Sequence, residues 1–170
     1  MNTFISHSKR IILSDRRGLT LIELLIVITI LSIIAITILV ALKPAQRLAE
    51  SRDARRAQDV NQILTGIFQC IIDNDTSDLS VCVGAHTAGE TYEIVDGAIT
   101  TGCDNVCTNV TSDTHCMRLD STLGDYFESI PQDPSNTVTG HTGYAATAYA
   151  NGMVVIEACA AETGPIRISR

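Results

Sequence analysis

Tryptophan is absent from this 170-residue chain, and aromatics of all kinds make up only 4% of it. Any core must therefore be assembled from Ile, Val, Leu and Ala. Positive charge is scarce over most of the length. Residues 57–170 carry three bases, Arg118, Arg167 and Arg170, against fifteen acids. So acidic a body is no nucleic-acid clamp, and no direct nucleic-acid partner is expected. Recognisable catalytic signatures are missing too. His86, His115 and His141 are present, but there is no nucleophile motif, no His-Glu metal motif and no Gly-rich phosphate loop. The chain reads as a non-enzyme without a cofactor. A single-pass anchored enzyme or binding ectodomain, the rival class, would need a convergent set of such residues.

The most local absence is of charge between Leu21 and Leu42, where Glu23 is the only ionisable residue. Those 22 residues make a helix of about 33 Å at ~1.5 Å per residue. That crosses a hydrocarbon core of ~30 Å. It exceeds the ~7–15 apolar residues of a secretory signal, and no small-x-small cleavage site follows. An acid inside such a run costs on the order of 2.5–3.5 kcal/mol at mid-membrane, and less near the interface. Glu23 therefore asks for a partner. Bases flank the run on both sides: Lys9, Arg10, Arg16 and Arg17 before it, and Lys43, Arg47, Arg52, Arg55 and Arg56 after it. The positive-inside count is thus balanced. The six cysteines, Cys70, Cys82, Cys103, Cys107, Cys116 and Cys159, all follow the run. An even count favours disulfides and a compartment outside the cytoplasm, and spacing alone does not choose the pairing.

The stretch Arg17-Gly18-Leu19-Thr20-Leu21-Ile22-Glu23-Leu24-Leu25-Ile26-Val27 resembles the class III signal of type IV pilins and type II secretion pseudopilins. The resemblance implies that a prepilin peptidase cuts after Gly18 and methylates the new N-terminus at Leu19. Thr20 and Glu23 then fall on the second and fifth mature positions, where Glu23 neutralises the N-terminal amine of a neighbouring subunit during assembly. Leu19 stands where the family more often has Phe. The implied fold is α+β and pilin-like: a long N-terminal helix, transmembrane in its first half and amphipathic in its second, on a small antiparallel sheet. The expected organisation is a leader at 1–18, a membrane and filament-core segment at 19–42, an amphipathic half at 43–72 and a β-rich head at 73–170. Expected partners are prepilin peptidase, a membrane assembly platform and further pilin-like subunits, alike or different. The expected location is the inner or cytoplasmic membrane with the head outside the cytoplasm, and then an extracellular or periplasmic filament. A pilus subunit is the first reading. A pseudopilin of a secretion or competence system is the second.

Beyond the run, Lys43-Pro44 should bend or interrupt the helix. Val60, Ile63, Leu64, Ile67, Phe68 and Ile71 recur at three and four, one apolar stripe. Leu48, Ala49 and Ala57 extend it, with Arg52, Arg55, Arg56 and Asp59 on the polar side. The basic cluster at 43–56 then faces lipid headgroups, acidic neighbours or solvent. The run from Asp73 to Asp78 ends the helix and lacks the alternation of an EF-hand loop. Thr91–Val95 alternates as a strand closed by Asp96-Gly97, with a possible return over Ala98–Thr101. Cys103, Cys107 and Cys116 beside His115 are a conceivable zinc set, but match no standard module. Leu119, Leu123 and Phe127 at spacing four predict a short helix within 117–130. The Pro131-Gln132-Asp133-Pro134 turn resembles a segment of major pseudopilins near a calcium site. Asp125 and Asp133 are the weak calcium candidates there, with a plain turn preferred and no metal expected. Asn151-Gly152 between two alternating runs predicts a hairpin, and Ile166–Ser169 a last strand. Asn74-Asp75-Thr76 and Asn109-Val110-Thr111 permit glycosylation.

Overall fold

A computed structural model describes residues 18–170; residues 1–17, with Lys9, Arg10, Asp15, Arg16 and Arg17 and all but the last residue of the expected leader, lie outside the described residues. The chain divides into two compact units at Lys43/Pro44.

In the first unit, α1 covers Leu21–Leu42. It is apolar on every side, and none of its residues is buried. Its three hydroxyl side chains turn back onto its own backbone. Thr29, Ser32 and Thr37 donate to the carbonyls of Ile26, Ile28 and Ile34, each at 2.7 Å. These hydroxyls thereby need no outside partner, as suits a segment in lipid. Lys43, at φ 43°, caps it in the left-handed region.

The second unit begins with α2, Pro44–Asp73. Pro44 takes the first helical position, where its missing N–H costs nothing. The sequence predicts one long helix from about Thr20 to Ile72, bent or interrupted at Lys43-Pro44; the structure has two helices, separated at Lys43. The apolar stripe is as expected: Val60, Ile63, Leu64 and Ile67 are buried, and Phe68 and Ile71 pack beside them. Each such side chain stabilises the fold by about 1.5–3 kcal/mol. Leu48, in contrast, is 60% exposed and does not extend the stripe.

After a one-turn helix, α3 (Ser80–Val83), come β1 (Thr91–Val95), β2 (Cys116–Arg118), β3 (His141–Ala148), β4 (Val154–Ala158) and β5 (Arg167–Ser169). They form one sheet in the order β2-β1-β3-β4-β5, with β1 and β2 parallel and the other pairs antiparallel. The fold is α+β and pilin-like. The β3–β4 hairpin pairs Ala148 with Val154 and Tyr144 with Ala158, as the Asn-Gly turn predicts. Two predictions fail. Ala98–Thr101 does not return as a strand; β1 instead takes β2 as its parallel neighbour. Residues 119–130 form successive turns rather than a helix. Leu119 and Leu123 are buried in the core. Single helical turns remain, with the Leu123 and Phe127 N–H groups donating to the Leu119 and Leu123 carbonyls, and the Phe127 ring lies over Gly66 of α2.

Every residue of β3 is buried, because both faces of the sheet are covered. On one face Tyr92, Ile94, Met117, Tyr144, Ala146, Ala148, Val154 and Ile156 join the α2 stripe in a single core. On the other, Val95 and Ala145 pack with Cys103, Cys107 and Val110 of the loop at 97–115. Strand alternation assigns the intervening residues Glu93, Cys116 and His141 to this second face.

Candidate functional site

The α1 start is built from Gly18 to Glu23. Thr20, extended at φ −77° and ψ 151°, is the N-cap, and its Oγ1 accepts the Glu23 backbone N–H at 3.2 Å. Thr-x-x-Glu is the capping-box pattern, and the Thr20 half of it closes the first turn. The Glu23 carboxylate sits in that turn, where the helix dipole favours a negative charge. Glu23 is exposed, as are Leu19 and Leu21, at 70% and 80%. Gly18 has open space where a Cβ would stand. A peptide bond between an exposed glycine and an exposed leucine is thus followed at once by a helix that is long and apolar enough to cross a membrane.

The family description that matches is the prokaryotic N-terminal methylation motif, over residues 13–39. The chain carries the type IV pilin and pseudopilin signal. No curated protein and no solved structure matches it. The motif supports a pilin-like or pseudopilin subunit, with processing by prepilin peptidase and filament assembly implied in general terms.

The remaining candidates lie in the second unit of this pilin-like subunit. Arg56 is not on a polar face: it is fully buried. Its Nε and Nη2 reach Asp133 at 2.6 and 3.0 Å, its Nη1 reaches Asp53 at 2.7 Å and Glu162 at 2.9 Å, and Nη2 donates to Ser135 at 2.6 Å. Arg52 makes a bidentate pair with Glu162 at 2.6 and 2.5 Å. Asp53 in turn accepts from the Glu162 backbone N–H and from both the N–H and hydroxyl of Thr163. The start of α2 is thereby clamped to two loops, 133–135 and 159–164. The basic cluster at 43–56 is spent partly on its own fold, since Arg47 also pairs with Glu50 at 3.0 Å.

Asp133 is an ion-pair partner, not an open calcium ligand: both oxygens are engaged by Arg56, and Oδ1 also accepts from Ser135. Asp125 is exposed on a separate turn. The Cys103, Cys107, Cys116 and His115 zinc set is likewise replaced. The bonds are Cys70–Cys82, Cys103–Cys116 and Cys107–Cys159, with no free cysteine among the described residues. His115 stacks on Tyr92, with ring centroids 4.6 Å apart. His86 holds the Gly84 carbonyl at 2.9 Å.

Sequence reasoning missed the buried pair Glu93–His141, in which Nδ1 and Oε2 are 2.9 Å apart. The signal was a lone acid at the centre of the alternating Thr91–Val95 strand. Burial raises the Glu93 pKa, against the opposing pull of His141. The clamp carboxylates shift the other way. Burial pushes Asp53 and Asp133 up, but their hydrogen bonds outweigh it and hold both below the usual carboxylate range. The bonds come from Thr163 and Arg56 in the first case, and from Arg56 and Ser135 in the second. Arg52 and then Arg56 lower Glu162 to about 2. Groups with depressed folded pKa values contribute stability above their unfolded pKa and lose it as pH falls through the folded value. Glu93, raised, contributes in the opposite sense and offsets part of the loss. Stability is therefore expected to fall between about pH 4.5 and pH 2. Urea midpoints of the detergent-solubilised chain across that range check this, and a flat profile would contradict the clamp.

Proposed function

We propose that this chain is a structural subunit of a type IV pilus-like filament. Prepilin peptidase cuts between Gly18 and Leu19 and methylates Leu19. Before assembly α1 holds the subunit in the membrane with its acidic, disulfide-bonded unit outside the cytoplasm. In the filament α1 builds the core, and Thr20 and Glu23 set the contact with the next subunit.

The observation that carries this reading is the methylation motif lying across a capped helix start whose following 22 residues are all exposed. Cleavage leaves a cationic amine four residues before Glu23, and pairing of the two between subunits offsets the cost of burying each. Occupation of Asp133 by Arg56 favours a pilus subunit over a calcium-binding pseudopilin.

Mass spectrometry of the native N-terminus is the direct test. The expected mature chain starts at Leu19 and carries one methyl group. Gly18→Phe should retain the leader, and normal processing of that variant would sink the peptidase assignment. Glu23→Val should insert and be processed, yet enter filaments poorly in competition with wild type. Unimpaired incorporation would remove its role in assembly.

A further inference from the structure

The second face of the sheet holds a cluster that neither processing nor assembly uses. One ligand atom each from Glu93, Cys103 and His141 lies within 4.8 Å of the others, and all three residues are buried. Cys116 joins them twice over: its sulfur is bonded to that of Cys103, and its Cα is the β1–β2 register partner of Glu93. Glu93 Oε1 is buried with no hydrogen-bond partner, while Oε2 faces His141. A buried carboxylate oxygen left unpartnered is costly, and a cation is one remedy.

We infer that Cys103, Cys116, His141 and Glu93 form a zinc site when the Cys103–Cys116 disulfide is open. Two sulfurs, one imidazole nitrogen and one carboxylate oxygen make a four-ligand set of the kind that tetrahedral Zn2+ accepts. Thiolates and imidazole select zinc over calcium or magnesium. Ligands at ordinary Zn–S and Zn–N distances stand about 3.3–3.8 Å apart, so Glu93, Cys103 and His141 close on the metal with a contraction of about 1 Å, while the Cys116 sulfur, outside that trio, swings in once its bond to Cys103 opens. Glu93, Cys116 and His141 sit on three adjacent strands, which fixes three of the four positions.

The chemistry balances as follows. A dithiol reductant supplies two electrons, the S–S bond breaks, and the reductant becomes its own disulfide while its two protons pass to Cys103 and Cys116. Zinc then displaces those two protons to water and binds both thiolates, neutral His141 and ionised Glu93. The same loop is thus cross-linked to the same strands in either redox state, by sulfur–sulfur or by sulfur–metal bonds.

The test uses the full chain in detergent micelles, reduced with a dithiol, desalted anaerobically and titrated with Zn2+ alone against a chromophoric competitor. Reduced wild type should bind one zinc at this site and oxidised wild type none. Co2+ should give the visible absorption of a tetrahedral thiolate complex. Cys103→Ser/Cys116→Ser should lose the site, whereas Cys70→Ser/Cys82→Ser should keep it. Glu93→Gln and His141→Gln should each weaken binding by about tenfold or more, since loss of an outer-shell partner alone costs that much. Zinc binding that is absent, or unchanged in Cys103→Ser/Cys116→Ser, would overturn the site. Should reduction unfold the chain, zinc must restore its far-UV circular dichroism, and failure to do so counts equally against it.

Discussion

Arg56→Ala is expected to cost about 3–5 kcal/mol, the range for breaking a buried ion pair by removing one partner. The guanidinium is fully buried, and the Asp133 and Asp53 side chains around it are 0% and 7% exposed. Removing it leaves these carboxylates facing each other, with the 31%-exposed Glu162 beside them. Two loops lose their tie to α2 together. Equilibrium urea unfolding of the detergent-solubilised chain reads the loss. A change under about 1 kcal/mol would show that the clamp is no stronger than an exposed ion pair. Arg56→Met combined with Asp133→Asn should recover part of it, because the buried uncompensated charge is the main penalty. Arg52→Ala should cost far less, since its pair with Glu162 is partly exposed.

Loss of the Cys107–Cys159 bond has the next largest expected effect. The bridge closes a separation of 52 residues, for which loop-closure entropy gives about 4 kcal/mol. Cys70–Cys82, closing 12 residues, gives about 3 kcal/mol by the same relation. Cys107→Ser/Cys159→Ser should therefore lower the urea midpoint more than Cys70→Ser/Cys82→Ser does. It also loosens the loop that covers Val95 and Ala145, which Cys103–Cys116 then ties at one point only, so binding of an apolar dye should rise before global unfolding. Equal midpoints for the two variants, with no dye binding, would show that packing and the Cys103–Cys116 bond hold the loop without Cys107–Cys159.

What could be read from the sequence was local. The membrane-length run, the apolar stripe, the stop after Asp73 and the Asn-Gly hairpin each depend on neighbours within a few residues, and each is where it was expected. The signal at Gly18, Leu19, Thr20 and Glu23 was equally legible, because its register is fixed by chain spacing. What escaped depends on distant partners. β2 is three residues long and exists because β1 pairs with it across a loop of some twenty residues. The disulfides join segments whose proximity only the sheet creates. Arg56 is the instructive miss. Positions 53, 56, 60, 63, 67 and 70 continue one three–four spacing, and all six are buried. Charge at the first two masked that continuity, and the carboxylates that make burial tolerable come from residues 133 and 162.

The three hydroxyls that fold back onto α1 bear on the energetics of assembly. Hydroxyls already satisfied within the helix can keep the same hydrogen bonds in lipid as among copies of it. Exchanging acyl chains for neighbouring helices replaces one apolar surrounding by another, so the hydrophobic effect is nearly silent in that step. Under the proposed assembly, close packing and the charge on Glu23 are then left to decide whether subunits add. In the proposed filament, a subunit would then add or leave with little change in the hydrophobic term.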